Sequence, residues 1–247
     1  MRTNPCRRFL LLATLVVTLA GLGQSAGATE GKVVVVLFDG SGSAQTDAVR
    51  KLYQEAFDQV VKAVRPGDIL AADVIADHPL TELTFPIKVE FEEGPNRLVT
   101  EARTRQKRAD VAKRVRDLLA RPEAVKSTRI LDAILVVSRV FRNYDRPRKV
   151  LVLCSDMIEE SERYNFLRQP PTATAIDRIV GEERTAGRLP ELRGVRVYVV
   201  GAGAGTYSRL PADHHVRVEK FWLQYFKATG AELDKVRYGA SLIEFKE

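Results

Sequence analysis

Asp39, Ser41 and Ser43 alternate with glycines in Asp39-Gly40-Ser41-Gly42-Ser43, directly after the unbroken apolar run Val33 to Phe38. A second aspartate, Asp156, follows another apolar run, Val150 to Cys154, with Ser155 between them. Carboxylates and hydroxyls gathered without histidine or cysteine suit a hard, oxygen-seeking cation. Mg²⁺ takes near-octahedral oxygen ligands at about 2.0–2.1 Å and keeps some of its waters. The alternation lets side chains 39, 41 and 43 face one side of a tight loop. Gly40 and Gly42 would permit backbone angles that a Cβ resists. The competing reading is a Gly/Ser turn in which Asp39 or Ser43 caps the helix that follows.

The elements around these residues decide whether they can meet. Val33 to Phe38 is all apolar and of strand length, as expected of a parallel strand covered on both faces. Val49, Leu52, Tyr53, Ala56, Phe57, Val60, Val61 and Val64 recur at three and four, which is one face of a helix, and Pro66-Gly67 ends it. Ile69 to Ile75 reads as a second strand. Phe85, Ile87, Val89 and Phe91 alternate and predict an edge strand with one face in water. Helices are expected over 98–119, 130–141 and 173–186, strands over 150–154 and 195–200, and a loop over 157–171. A helix around Val218 to Phe226 should stop at Gly230. A last strand is expected near Val236 to Tyr238 or Ser241 to Phe245. Strands alternating with amphipathic helices make an α/β fold: a doubly wound, mostly parallel central sheet with one antiparallel edge strand and helices on both faces. In such sheets ligands sit outside the carboxyl ends of the strands, where strand order reverses. Asp39 and Asp156 then share one rim if their two strands are neighbours.

Val33 to Ser43 resembles the first strand and metal loop of the von Willebrand factor A domain family, whose metal-ion-dependent adhesion site begins Asp-x-Ser-x-Ser. Thr128, ahead of the helix Ile130-Leu131-Asp132-Ala133-Ile134, resembles the second metal loop, and Asp156 the third. Val197 to Gly203 is similar to the family's fifth strand and glycine turn. The resemblance covers almost all of residues 29–247, with the five polar positions in the family order. It implies that Ser41, Ser43 and Thr128 bind the metal directly, that Asp39 and Asp156 act directly or through water, and that a carboxylate from a protein partner takes the last place. Mg²⁺, or Mn²⁺ or Ca²⁺, is the implied ion. Two positions depart from the family pattern. Lys126 and Ser127 precede Thr128, and Met157 follows Asp156 where the family has glycine. A methionine there is large enough to narrow the open face of the site.

Residues 1–28 carry Arg2, Arg7 and Arg8, an apolar run from Phe9 to Leu22, and Ala26 and Ala28 in small-x-small spacing. This is the composition of a secretory signal cleaved before Thr29. The run is short of the ~20 apolar residues that a spanning helix needs, so membrane contact is expected only through this segment if it stays uncleaved. Residues 29–247 then form one domain-sized chain, exported to the periplasm or secreted. Losing three arginines and no acid lowers the formal net charge from +7 to +4, which does not call for nucleic acid. Cys6 leaves with the signal, so Cys154 has no disulfide partner and is expected in the core.

The remaining polar clusters have plainer readings. Asp213-His214-His215 lacks the accompanying ligands of a zinc site and is read as a surface loop or helix start. Gly201 to Gly205 follows a strand, but no helix start stands close behind it, so a flexible turn is expected. The basic residues from Arg103 to Arg116 are diluted by Glu101, Asp110 and Asp117 and suit a solvated helix face. Glu159, Glu160 and Glu162 read as loop decoration that adds negative potential near the metal. The chain is therefore expected to be a binding module and not an enzyme. The alternatives are a structural module with a vestigial metal site and a phosphatase-like hydrolase with Asp39 as nucleophile. The hydrolase lacks the acid/base carboxylate two residues on, because position 41 is serine.

Overall fold

The computed structural model describes residues 31–121, 125–241 and 244–247. The expected signal, residues 1–28, and its cleavage point before Thr29 lie outside these. Strand β1 (Lys32–Asp39) is buried along its whole length. It runs parallel to β2 (Ile69–Ile75) on one side and to β4 (Arg148–Cys154) on the other. Strand β3 (Ile87–Glu90) closes one edge antiparallel to β2, while β5 (Val195–Val200) and the two-residue β6 (Tyr238–Gly239) extend the other edge in parallel. The order is β3-β2-β1-β4-β5-β6. This is the doubly wound, mostly parallel sheet that the sequence pattern implies.

The pleat sends alternate residues to opposite faces. Val34, Val36 and Phe38 pack with Tyr53, Phe57 and Val60 of helix α1 (Asp47–Ala63). Val111 and Val115 of α3 (Arg97–Leu119) join the same layer; the single turn α2 (Pro79–Glu82) precedes it in the chain. Val33, Val35 and Leu37 pack with α4 (Ile130–Arg142), α5 (Ala173–Thr185) and α6 (Ala212–Thr229) on the other face. Local chemistry sets the helix ends: Thr46, Asn96 and Thr172 each accept an amide of the first turn, and Gly230, at φ +80°, stops α6.

Strand order reverses between β1 and β4. The chain leaves β1 through α1 towards β2, and leaves β4 through α5 towards β5. That opens a crevice at their carboxyl ends. At the opposite end of the sheet, Lys32 and Asp68 form a fully buried ion pair at 2.8 Å, and Asp68 also accepts the Lys32 amide.

Two expectations change in detail. The edge strand is shorter than Phe85 to Phe91, because Phe85 sits at φ +53° in a turn closed on Asp73 Oδ2. The last strand shrinks to Tyr238–Gly239, and Phe245 instead lays its ring against Tyr198, with centroids 5.0 Å apart. The turn α2 had no periodic signal to announce it. The basic residues of α3 are on a largely solvated helix that buries only Thr104, Val111, Val115 and Leu118. No helix among the described residues is long and apolar enough to cross a membrane.

Candidate metal centre

Phe38 stands opposite Cys154 in the register of β1 and β4, so Asp39 and Ser155 leave the sheet side by side. Ser155 Oγ donates to Asp39 Oδ2 at 2.7 Å, and the Ser41 amide donates to Asp39 Oδ1 at 2.9 Å. The Thr128 side chain lies close enough to the Asp39 carboxylate to favour its charged form. The Ser41 and Ser43 hydroxyls lie 2.9 Å apart, and Ser43 Oγ donates to Asp156 Oδ2 at 2.6 Å. The Ile158 amide holds Asp156 Oδ1 at 2.9 Å. Asp39, Ser41, Ser43, Thr128 and Asp156 are all buried and all belong to this one cluster. Ser155 completes it. Sequence reading passed over Ser155 as a spacer, although a hydroxyl between a buried strand and a rim aspartate was a signal.

The electrostatics are those of anions short of a cation. Burial pushes the Asp39 carboxyl above its ordinary range, partly offset by hydrogen bonds from Ser155 and Ser41 and by the Thr128 side chain. Burial first, and then the Asp39 charge, raises Asp156 to about 8. Neither carboxylate has an ion-pair partner among the described residues. No three of His, Cys, Asp and Glu converge as a metal-holding group among those residues. The rim offers two carboxylates and otherwise hydroxyls. An oxygen-only set with two uncompensated buried carboxylates fits a hard divalent ion.

The loops deliver these groups in ways the residue types only partly foretold. Neither Gly40 nor Gly42 has a positive φ, which corrects the expectation that both supply unusual backbone angles. Gly40 is needed for space, since a Cβ there would lie 2.5 Å from Val74 Cγ1 and 2.9 Å from Val125 Cγ2. At Gly42 a Cβ would meet nothing within 4 Å. The glycine run after β5 is more than a flexible turn. Gly205, at φ +68°, lies where a Cβ would come 2.3 Å from the Ser43 carbonyl, so this loop packs directly on the first one. The second loop is tied down by Asp77, whose Oδ1 accepts the amide and hydroxyl of Ser127 at 2.8 and 3.0 Å. The Thr128 carbonyl accepts the Glu160 amide at 2.9 Å.

Met157 does not narrow the open face. Its side chain is fully buried in the α4–α6 layer, its amide donates to Ser155 Oγ at 3.0 Å, and its carbonyl accepts Trp222 Nε1 at 2.8 Å. The acidic run after it is not mere decoration either. Glu159 is fully buried, and its Oε2 accepts the Leu131 amide at the start of α4, at 3.1 Å. Glu160 accepts the Tyr207 hydroxyl at 2.7 Å, and only Glu162 is exposed, paired with Arg129 at 3.1 Å. Asp213, His214 and His215 form the first turn of α6, in line with a helix start. Cys154 is buried, and burial pushes its thiol far above the ordinary range, as suits a core residue.

No family model matches the sequence, and no curated protein matches it. Similarity appears among solved structures. Proximal thread matrix protein 1 from the mussel byssus is 14% identical, with a TM-score of 0.41, over 82% of this chain and 46% of that one. A von Willebrand factor type A structure from Catenulispora acidiphila is 15% identical, with a TM-score of 0.40, over 83% of this chain and 44% of that one. The mussel protein solved "with zinc occupied MIDAS motif" is 13% identical, with a TM-score of 0.37, over 78% and 46%. The chain thus spans less than half the length of these solved chains.

Proposed function

We propose that this chain is an exported binding module, without catalytic activity, that holds one divalent ion at Asp39, Ser41, Ser43, Thr128 and Asp156. Mg²⁺ is the first choice, with Mn²⁺ or Ca²⁺ as substitutes. A protein partner supplies a carboxylate to the same ion. The observation that carries this reading is the pair of buried aspartates, each raised in pKa, with hydroxyls around them and no cationic side chain between them. A bound divalent ion would supply the missing positive charge and an electrophilic point for an incoming carboxylate. The protein's own groups do the positioning. The Ser41 amide and Ser155 hydroxyl fix the two oxygens of Asp39, and the Ile158 amide and Ser43 hydroxyl fix those of Asp156.

Isothermal titration of residues 29–247 with Mg²⁺ and Mn²⁺ tests this, with circular dichroism as the folding control. One site is expected, lost in Asp39→Ala and only weakened in Ser41→Ala and Thr128→Ala, each of which removes one neutral ligand. A folded Asp39→Ala that binds as tightly as the parent would move the site elsewhere. One observation favours a purely structural module: Ser43–Asp156 and Ser155–Asp39 already satisfy one another. Parent protein that binds no divalent ion, alone or with a captured partner, would establish that second reading.

A further inference from the structure

Helix α3 is long for what it buries. Of its 23 residues only Thr104, Val111, Val115 and Leu118 are buried, on the side that meets α1 and β3. A helix polar nearly all round leans on its own side-chain pairs. Two are present: Arg97–Glu101 at 2.7 Å and Arg114–Asp110 at 3.7 Å.

The cations of α3 fall into two sets. Lys107, Arg108 and Arg114 are half-buried and donate to the carbonyls of Glu90, Val64 and Pro86, which ties the helix to its own domain. Arg103, Arg105, Lys113 and Arg116 are exposed, and none has an ion pair or hydrogen bond among the described residues. Glu101 and Asp110 are taken by the pairs above, which leaves Asp117 as the one free acid on this helix. At 3.6 residues per turn, Arg105, Lys113 and Arg116 share a sector roughly 80° wide on the side away from the buried four, with Arg103 at its flank. Leu98 lies in the same sector and is 79% exposed, more than any other large apolar residue described. The exposed Ala102 and Ala109 stand between them, so a broad surface can approach the long cationic side chains. From Leu98 to Arg116 the line runs about 27 Å.

We propose that this face of α3 lies on the surface of an anionic lipid bilayer, with Leu98 entering the headgroup boundary and Arg105, Lys113 and Arg116 meeting lipid phosphates. Such a surface answers both features of the face, unpaired positive charge and an apolar side chain left in water. Nucleic acid would leave Leu98 in water, and residues 97–121 contain no aromatic ring to stack on a base. A protein partner is anchored by aromatic side chains, and this face carries none. The contact is additional to any made by residues 1–28, and it does not depend on a metal at the rim.

Co-sedimentation of residues 29–247 with lipid vesicles tests this. That chain lacks the apolar run Phe9 to Leu22, and chelator is added, so neither the expected signal nor a bridging cation contributes. Vesicles of phosphatidylglycerol mixed equally with phosphatidylcholine should bind the protein at about 0.05 M salt and release it at about 0.5 M, where charges are screened. Phosphatidylcholine alone should bind it at least about tenfold less. The triple variant Arg105→Gln, Lys113→Gln, Arg116→Gln should lower the partition about a hundredfold, at roughly fivefold per cation. Glutamine is a good helix former and all three positions are exposed, so circular dichroism should match the parent. Leu98→Ser should cost severalfold by itself. A control variant, Lys51→Gln, Lys220→Gln, Lys227→Gln, removes the same charge from exposed positions on α1 and α6 and should keep most of the parent partition. The proposal is overturned if anionic vesicles bind no better than neutral ones, if the triple variant binds like the parent, or if the control loses as much as the triple variant. It is equally overturned if duplex DNA, and not the vesicles, binds the parent and is lost in the triple variant, which would assign this face to nucleic acid.

Discussion

Met157 is the residue where local cost and tertiary gain are most clearly opposed. Its φ of +66° places a side chain in the left-handed region, which costs an L-residue about 1–2 kcal/mol. Three interactions hold it there: the buried thioether, the Trp222 indole on its carbonyl, and its own amide on Ser155. Glycine would relieve the backbone cost but would empty a core position, and deleting a buried methionine side chain costs about 2–5 kcal/mol. Met157→Gly should therefore lose stability overall, read as a lower urea midpoint at unchanged slope. A variant more stable than the parent would mean that backbone strain outweighs packing here. Residue type identified Met157 as unusual beside Asp156, but not its direction. Whether that side chain covers the rim or enters the core depends on a backbone angle that the sequence does not carry. Glu159 escaped for a related reason. An acidic run in a loop looks solvated until the fold brings the start of α4 against it.

At the scale of elements, the first loop depends on the loop after β5 more than on its own glycines. Gly42→Ala introduces a Cβ into open space at an ordinary φ, so its effect on stability should stay within about 0.5 kcal/mol. Gly205→Ala must move the Ser43 carbonyl or itself, and it adds left-handed strain of about 1–2 kcal/mol. It should lower both the denaturation midpoint and the affinity for the divalent ion, since Ser43 moves with its carbonyl. Calorimetric titration and urea melts of the two variants side by side check this. Equal behaviour would contradict the packing of one loop on the other. The strands and long helices could be read in advance because each buries a face with its own period: two along β1, three to four along α1 and α4. The turn α2 and the folding back of Phe245 have no period. They arise from single long-range contacts, so pattern reading missed them.

Across the whole molecule, three segments far apart in sequence reach one rim because strand order reverses between β1 and β4. Asp39 and Asp156 could be placed there from sequence by that rule, whereas Thr128 needed a family resemblance, since no strand ends at it. The same convergence buries acids together, and that sets how stability should vary with pH. Asp156 is raised from 3.8 to about 8, and Glu159 from 4.5 to about 8, burial being the first cause in both. Between their unfolded and folded values the native state binds more protons than the unfolded chain, so the unfolding free energy falls as pH rises. The contribution is fully present below the unfolded values and is lost as pH climbs through the folded ones. Each group can contribute a slope of up to ~1.4 kcal/mol per pH unit. Denaturation in chelator should therefore show stability declining from about pH 4 to about pH 8, the window these shifts define. Glu159→Gln should flatten part of that decline. Mg²⁺ should flatten the part due to Asp39 and Asp156, because a bound cation favours their ionised forms, and its stabilising effect should grow with pH. A flat profile in chelator would show that these acids are solvated in the folded state. A decline that Glu159→Gln leaves unchanged, while Mg²⁺ abolishes it, would assign the whole effect to the rim.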